Sequence, residues 1–423
     1  MTTREHGRVP ALILKVGQYP LHSGGVAAVR TLGRLGVPVY VTSEDPLTPA
    51  ALSRYAAGHF RWRTTGHEDP ADLVAGLTAV GRQIGEPSVL VPVDDEAAVL
   101  IAEHADELSG HFLFPRIRPG LSRQLASKHE LFSLCRQHGM PAPESVYVSS
   151  AETVAAFAQT AAFPVVAKNA EPWVRRRAPA VAGTTVLRSA AELTALAAAA
   201  DGSATFILQD YVPHDQAEDW IVHLYCDAGS NCLVLFTGVK LRSWPPNTGA
   251  TACGIAVANP ALAELAGRFC KAVGFHGVAD LDVRYDRRDG QYKLVDFNPR
   301  MGNQFRLFQT AAGIDVLRAL YLDMTGQDVP PGDQVNGRRI VVEHIDLPAR
   351  IGQRGSGYAP SSAPRRASST ELAWLAADDP LPFVAMLPRL ASLALSDISR
   401  RRRRAWRRKH AKNGAHSDEQ HGD

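Results

Sequence analysis

Apolar and polar positions alternate between two rhythms along the first hundred residues. Val9 to Gly17 (VPALILKVG) is almost unbroken apolar, the pattern of a strand buried on both faces of a parallel sheet. Gly24 to Gly36 reads as a helix entered through a glycine turn and ended by Gly36, and Val37 to Val41 as the next strand, which makes a βαβ unit. A second helix over 70–84 leads to strand Val89–Val93, and Asp94-Asp95-Glu96 then opens a helix that runs to Leu108. In open α/β sheets ligands bind at such strand ends. The stretch Gly17–Gly25 does not fit G-x-G-x-x-G, which argues against a nicotinamide site. A helix start with tight glycines favours an anion, such as a substrate carboxylate.

The rhythm changes after a connection at 115–125. Ser127 caps a helix with Glu130 as its capping-box partner, and Gly139-Met140-Pro141-Ala142-Pro143 ends it. Phe163–Lys168 is a strand with a lysine at its end, followed by a polar loop, 169–185, that holds Trp173, Arg175-Arg176-Arg177 and Gly183. Phe206–Val212 is a further strand. Trp220–Cys226 and Leu233–Lys240 read as an antiparallel pair, and Leu262–Val273 as a helix. The Asp289-Gly290 turn within 285–292 forms a hairpin that places Asp282 beside Asp296 and Asn298. No internal repeat is visible.

This hairpin carries the chemistry. Asp296 and Asn298 share a strand face and Asp282 comes from the neighbouring strand; Asp280 has the same facing as Asp282 and competes with it. Two carboxylates and an amide oxygen suit magnesium, which takes oxygen ligands and is completed by water and substrate phosphates. Arg300 adds a planar fork for phosphate or carboxylate. On its own, Asp296-Phe297-Asn298-Pro299 reads equally as a turn, because the residue before proline is held extended.

The ordered set Lys128, Lys168, Gln209-Asp210-Tyr211-Val212, Lys240, Arg242, Asp282, Asp296-x-Asn298-x-Arg300 resembles the ATP-grasp superfamily over roughly residues 9–330. The branch it resembles is the carboxylate–amine (or thiol) ligases of the biotin carboxylase and D-aspartate ligase type. The resemblance implies mixed α/β and α+β architecture. A Rossmann-like N-terminal domain (1–115) precedes a two-lobed ATP-grasp unit (116–205 as lid lobe, 206–330 as the lobe with the metal site), with the nucleotide cleft between antiparallel sheets. It implies Lys128 and Lys168 on the nucleotide phosphates, Gln209, Asp210, Tyr211 and Val212 at adenine, and Asp219 (or Glu218) at the ribose. Asp282, Asp296 and Asn298 would hold Mg2+, with Mn2+ as an alternative, and Lys240, Arg242 and Arg300 would line the acyl-phosphate region. The activity implied is MgATP-dependent activation of a small carboxylic acid as an acyl phosphate and its joining to an amine, with release of ADP and phosphate. Two features depart from the family pattern: loop 169–185 lacks a glycine run, and Asp stands at 282 and 296 where relatives often use Glu. Asn303, Gln304 and Arg306 read either as acceptor contacts or as caps and surface.

The chain's 423 residues suggest two or three domains. Its formal charge of +3 hides a basic tail of net +6 over 400–423 on a body of net −3. Five scattered cysteines without CxxC spacing argue against a disulfide framework or zinc knuckle and fit a reducing cytosol, and no signal peptide or membrane-spanning run is seen. A cytoplasmic location is expected. Residues 331–423 read as an extension: one strand at Ile340–Val342, a linker at 352–370, and a helix over 381–398 with Phe383, Leu387, Leu390, Ala394 and Ile398 on one face. Eight basic residues at 400–409 follow it, suited to an anionic membrane surface or a protein partner rather than specific nucleic-acid binding, or simply solvated. A homodimer is compatible with the resemblance. The competing functions are an NAD(P)-dependent oxidoreductase built on residues 9–100 and a non-catalytic ATP-binding adaptor at a membrane surface.

Overall fold

The computed structural model describes residues 8–148, 150–171, 181, 184–199, 206–353, 360–364 and 366–396. Most of loop 169–185, including Trp173, Arg175–Arg177 and Gly183, and the tail from 397 lie outside the described residues.

The first unit is a five-stranded parallel sheet made of β1 (Ala11–Leu14), β2 (Val39–Ser43), β3 (Ala56–Arg61), β4 (Ser88–Pro92) and β5 (Phe112–Leu113), in the order β3-β2-β1-β4-β5. Helices α1 (Ser23–Gly33), α2 (Pro70–Ile84), α3 (Asp95–Glu103) and α4 (Ala105–Leu108) connect and cover it. Every residue of β1 is buried, as its apolar run requires. Helix α2 starts at an Asp69 cap followed by Pro70 and stops at Gly85 with φ 84°, so its cap, first and last residues each satisfy a local demand.

Short helices α5 (Leu121–Ala126) and α6 (Lys128–Gln137) lead into a small antiparallel sheet. Its strands are β6 (Ser145–Val148), β7 (Val165–Asn169), β8 (Thr185–Leu187) and β9 (Phe206–Asp210), ordered β6-β9-β7-β8, with α7 (Ala151–Thr160) and α8 (Ala190–Ala199) packed on one face. Val165, Ala167, Phe206 and Leu208 point into that packing, so alternation turns Val166, Lys168 and Gln209 to the other face. Strand β9, expected in the following lobe, is a member of this sheet.

The third sheet has seven strands. They are β10 (Ala217–Cys226), β11 (Cys232–Trp244), β12 (Ala250–Ala256), β13 (Gly277–Asp286), β14 (Gln291–Asn298), β15 (Arg338–Val341) and β16 (Ser369–Leu372), in the order β14-β13-β10-β11-β12-β15-β16. The last two, from the expected C-terminal extension, belong to the same sheet as the β13–β14 hairpin. One face packs Val222, Leu224, Leu281, Leu294 and Phe297 against α9 (Pro260–Val273) and α6. The other face shares a core with the first unit, to which α10 (Val316–Met324) contributes. Helix α11 (Glu343–Gly352) follows β15 and contacts β11 and β12.

The C-terminal extension docks on the body. Its last described helix, α12 (residues 381–396), buries Met386 and seats Phe383 and Leu390 on the shared core, whereas Leu387 is exposed. The inward face is therefore i, i+3, i+7 from Phe383, shifted from the expected stripe. Asp379 and Arg30 form a fully buried ion pair (2.9 Å), with Ser53 and the Arg54 N–H also donating to Asp379. Among the described residues no helix is long and apolar enough to cross a membrane.

Candidate active site

The cleft lies where the free face of the small sheet looks at the third sheet. Strands β13 and β14 set Asp282 opposite Asp296 and Asp280 opposite Asn298. The ladder slips at Val295, which lets Leu294 and Phe297 both enter the apolar core while Asp296 and Asn298 face the cleft. Asn298 Nδ2 donates to the Asp280 carbonyl (3.0 Å), which commits the amide nitrogen and leaves the oxygen for a ligand.

Four cations from four elements converge on these acids. Lys128, at the start of α6, is brought in by its own N–H donating to the Ala170 carbonyl (2.9 Å) and reaches Asp296 at 2.8 Å. Ser127 caps the helix by accepting from the Glu130 N–H (3.4 Å), and its hydroxyl donates to Glu171. Lys240 on β11 reaches Asp282 at 2.7 Å. Lys168 projects from β7 and donates to Gln209 (3.0 Å), whose own amide donates to Ser145. Arg300 is clamped between Asp95 (3.1 Å) and Asp280 (3.2 Å). Lys128, Lys168, Lys240, Asp282, Asp296, Asn298 and Arg300 all line one solvent-open cleft of about 1460 Å³.

The electrostatics follow from burial and neighbours. Burial, reinforced by Lys128, pulls the Lys168 ammonium down to about 7. Burial would also lower Lys240, but the Asp282 and Asp219 carboxylates overcome it and hold the amine above its ordinary value. Burial raises Asp282, with Asp280 and Asp296 adding to the effect against Lys240. For Asp296, burial is outweighed by the Lys128 ammonium, and the carboxyl is held low. Burial is likewise outweighed at Arg300, where Asp95 and Asp280 keep the guanidinium firmly charged.

The oxygen chemistry of this donor set is compatible with a hard divalent ion. Two cleft-facing carboxylates each already hold a positive group, and a hard cation on the phosphates of a nucleotide can replace the ammoniums there. Asp282 is the better placed of the two acids on β13. Its side chain is about one-third exposed to the cleft, whereas Asp280 is buried between Arg300 and His223, whose Nε2 lies 3.0 Å away. Asp280 thus positions Arg300.

A recess adjoins the cleft and is lined by Lys168, Gln209, Asp210, Tyr211, Val212 and Asp219. Asp219 is held by a two-pronged pair with Arg284 (2.7 and 3.0 Å), and Arg284 also donates to the Val212 carbonyl (3.2 Å). Glu218 faces away, toward Arg287, Ser361 and Ser362, so of the two acids only Asp219 reaches the recess. Arg284 was not foreseen. Its signal was available, because it continues the 280, 282, 284 alternation toward the cleft face. Asp95 stands at a strand end marked as a ligand position, but its pairing with Arg300 was not legible, and His223 carried no signal, since these contacts come from distant parts of the chain.

One expected site residue is elsewhere. Lys240 pairs with Gly254 but Arg242 pairs with Cys253, so the strand bulges at Leu241. Adjacent partners on β12 face opposite sides, and Arg242 is turned from the cleft to Asp346 on α11 (2.6 Å). Asn303 and Gln304 do reach the cleft, but Arg306 pairs with Glu371 and Thr31.

Among the described residues, the backbone amides at the glycine turn of the first unit are already committed. The Val16 and Gly17 amides donate to Asp94 (2.9 and 2.8 Å), the Gly25 amide to His22 Nδ1 (2.9 Å), and the Gly24 amide to Asn303 (3.0 Å). A Cβ at Gly24 would lie 2.9 Å from the Asn303 oxygen, so only glycine allows this approach. The groups that would bind a dinucleotide pyrophosphate, or the carboxylate expected at this helix start, are thus used within the protein.

No family model matches the chain. D-aspartate ligase from Enterococcus faecium (strain Aus0004) is 25% identical over 264 residues, covering 59% of this chain and 62% of that protein, so the match spans less than two thirds of its length. The biotin carboxylase of Campylobacter jejuni, solved with a β,γ-ATP ligand, superposes with a TM-score of 0.58 at 15% identity, covering 78% of this chain and 74% of that one. An L-amino acid ligase from Bacillus licheniformis gives 0.54 at 14% identity, covering 74% and 73%. With a cleft between a small antiparallel sheet and a seven-stranded mixed sheet, and a parallel-sheet unit before them, this chain has the ATP-grasp fold.

Proposed function

We propose that this protein is an ATP-dependent ligase that activates a small carboxylic acid as an acyl phosphate and joins it to an amine, releasing ADP and phosphate. The observation that carries the reading is the row Asp282, Asp296 and Asn298 facing Lys128, Lys168 and Lys240 across one cleft, beside the recess lined by Gln209 to Val212. Its support from relatives is twofold: D-aspartate ligase matches over 264 residues, and a solved relative, a biotin carboxylase domain of Hydrogenobacter thermophilus (TM-score 0.56, 14% identity), holds MgADP and bicarbonate.

In this reading Gln209 to Val212 bind adenine and Asp219 the ribose. Asp282, Asp296 and Asn298 hold magnesium, which when bound draws charge from the transferring phosphoryl group. The nucleotide's phosphates take over Lys128 and Lys168. Displaced from the carboxylates, the ammoniums of Lys128 and Lys240 turn to phosphate oxygens. Arg300, already charged and fixed by two acids, steadies the incoming carboxylate against the γ-phosphoryl group. No side-chain nucleophile is needed, since the substrate's own carboxylate attacks. The oxidoreductase alternative loses its anion nest to Asp94, His22 and Asn303.

The test is incubation of the purified protein with MgATP and arrays of acids and amines. ADP and phosphate that require both substrates support the reading. AMP and pyrophosphate, or hydrolysis indifferent to both substrates, contradict it.

A further inference from the structure

We propose that Cys226, Cys232 and Cys270 form a three-thiolate site for a soft d10 cation such as zinc, at the end of the third sheet remote from the cleft. The three thiols come from separate places: the last residue of β10, the first of β11, and the C-terminal part of α9. Their sulfurs all lie within 4.8 Å of one another, with Cys226 and Cys232 at 2.7 Å. Zinc–thiolate bonds of about 2.3 Å place sulfurs roughly 3.8 Å apart, so the closest pair opens by about 1 Å and any wider pair closes by at most about as much. Thiolates are the preferred ligands of such soft ions.

The carriers are already fixed. Asp227 accepts from the Asn231 N–H (2.8 Å) and ties the hairpin tip. Lys271, the residue after Cys270, donates to Asn231 (2.9 Å) and to the Gly229 carbonyl, which ties that tip to α9. Cys226 and Cys270 are buried in the apolar core, while Cys232 is half-buried.

Cys226 pairs with Gly277, five residues along β13 from Asp282. At about 3.4 Å per residue the two sites are roughly 17 Å apart, so the ion would staple hairpin to helix without entering the reaction. A Cys226–Cys232 disulfide would leave Cys270 unused.

The test uses the full chain, reduced, metal-stripped and kept anaerobic, titrated with Cd2+ while the thiolate-to-cadmium charge-transfer band is recorded. The expected result is saturation at about one equivalent, displacement by Zn2+, and a higher melting temperature with Zn2+ bound. Cys232→Ser, at a half-buried position that tolerates the change, and Cys270→Ser should each weaken binding by at least about 100-fold, while Cys135→Ser leaves it unchanged. No band, or a band that persists in both Cys232→Ser and Cys270→Ser, overturns the proposal. So does oxidation to a Cys226–Cys232 disulfide in a protein that, when reduced, takes up no cadmium.

Discussion

Replacing Lys168 with methionine should make the protein more stable and at the same time inactive. The lysine is 9% exposed and sits near Lys128 and Arg284, with Asp296 and Asp282 compensating only in part. Burial first, and Lys128 second, bring its amine from 10.5 to about 7. At about 1.36 kcal/mol per unit, the cost of keeping it charged is on the order of 5 kcal/mol. The hydrogen bond to Gln209 returns about 1 kcal/mol of that. The sign of the pH dependence is set by the lowered folded value. An unfolded lysine keeps its proton to about pH 10.4, so between about pH 7 and 10.4 the unfolded state binds more protons and stability rises with pH. Below about pH 7 both states are protonated and the full penalty stands. Lys168→Met should therefore melt several degrees above wild type at about pH 6, since a chain of this length gains roughly 1 °C per kcal/mol. The gap should close toward about pH 10. Melting curves of both proteins across this range, without nucleotide, measure it. A variant less stable than wild type at about pH 6, or a gap that does not change with pH, would refute the reasoning. Nucleotide phosphates restore the charge, so ADP binding by wild type at about pH 8 should take up a proton, and calorimetry in two buffers of different ionisation enthalpy reads it.

Three further outcomes test other parts of the account. Lys240→Ala should lower kcat/KM by about 100-fold or more, whereas Arg242→Ala, whose side chain faces Asp346, should stay within about threefold; equal losses would return Arg242 to the cleft. Gly302→Ala places a Cβ against His223 Cε1 and 2.7 Å from the Asp280 carboxylate, so it should displace the Arg300 clamp and abolish turnover, and full activity would contradict that packing. Asp379→Ala leaves Arg30 buried without its partner, a loss of about 3–5 kcal/mol that should lower the melting temperature by about 3–5 °C; a fall under about 1 °C would mean water reaches Arg30.

Two bulges show where the sequence was legible and where it was not. At Val295 the slip leaves Asp296 and Asn298 on one face, so simple alternation places them correctly together. At Leu241 the same kind of slip separates Lys240 from Arg242, and alternation over the same spacing misplaces the arginine. Nothing local distinguishes the two cases, because a bulge is decided by what the partner strand and the helix beneath demand. The βαβ unit and the β13–β14 hairpin were legible because each is held by contacts within a short stretch of chain. Membership of β9 in the small sheet and of β15 and β16 in the large one depends on strand partners more than 30 residues away, and α12 docks through Met386 on a core shared with the first unit. The Asp95–Arg300 pair, 205 residues apart, belongs to the same class.

Acyl-phosphate formation leaves a trace that other ligase mechanisms do not share in this form. A substrate acid carrying a heavy oxygen isotope in its carboxylate, once an accepted acid and amine are known, should deliver one labelled oxygen to the released inorganic phosphate. The Asp296→Ala protein should deliver none while keeping the circular dichroism of wild type. Unlabelled phosphate from the wild-type reaction, or label transfer undiminished in Asp296→Ala, would contradict the role given to this cleft.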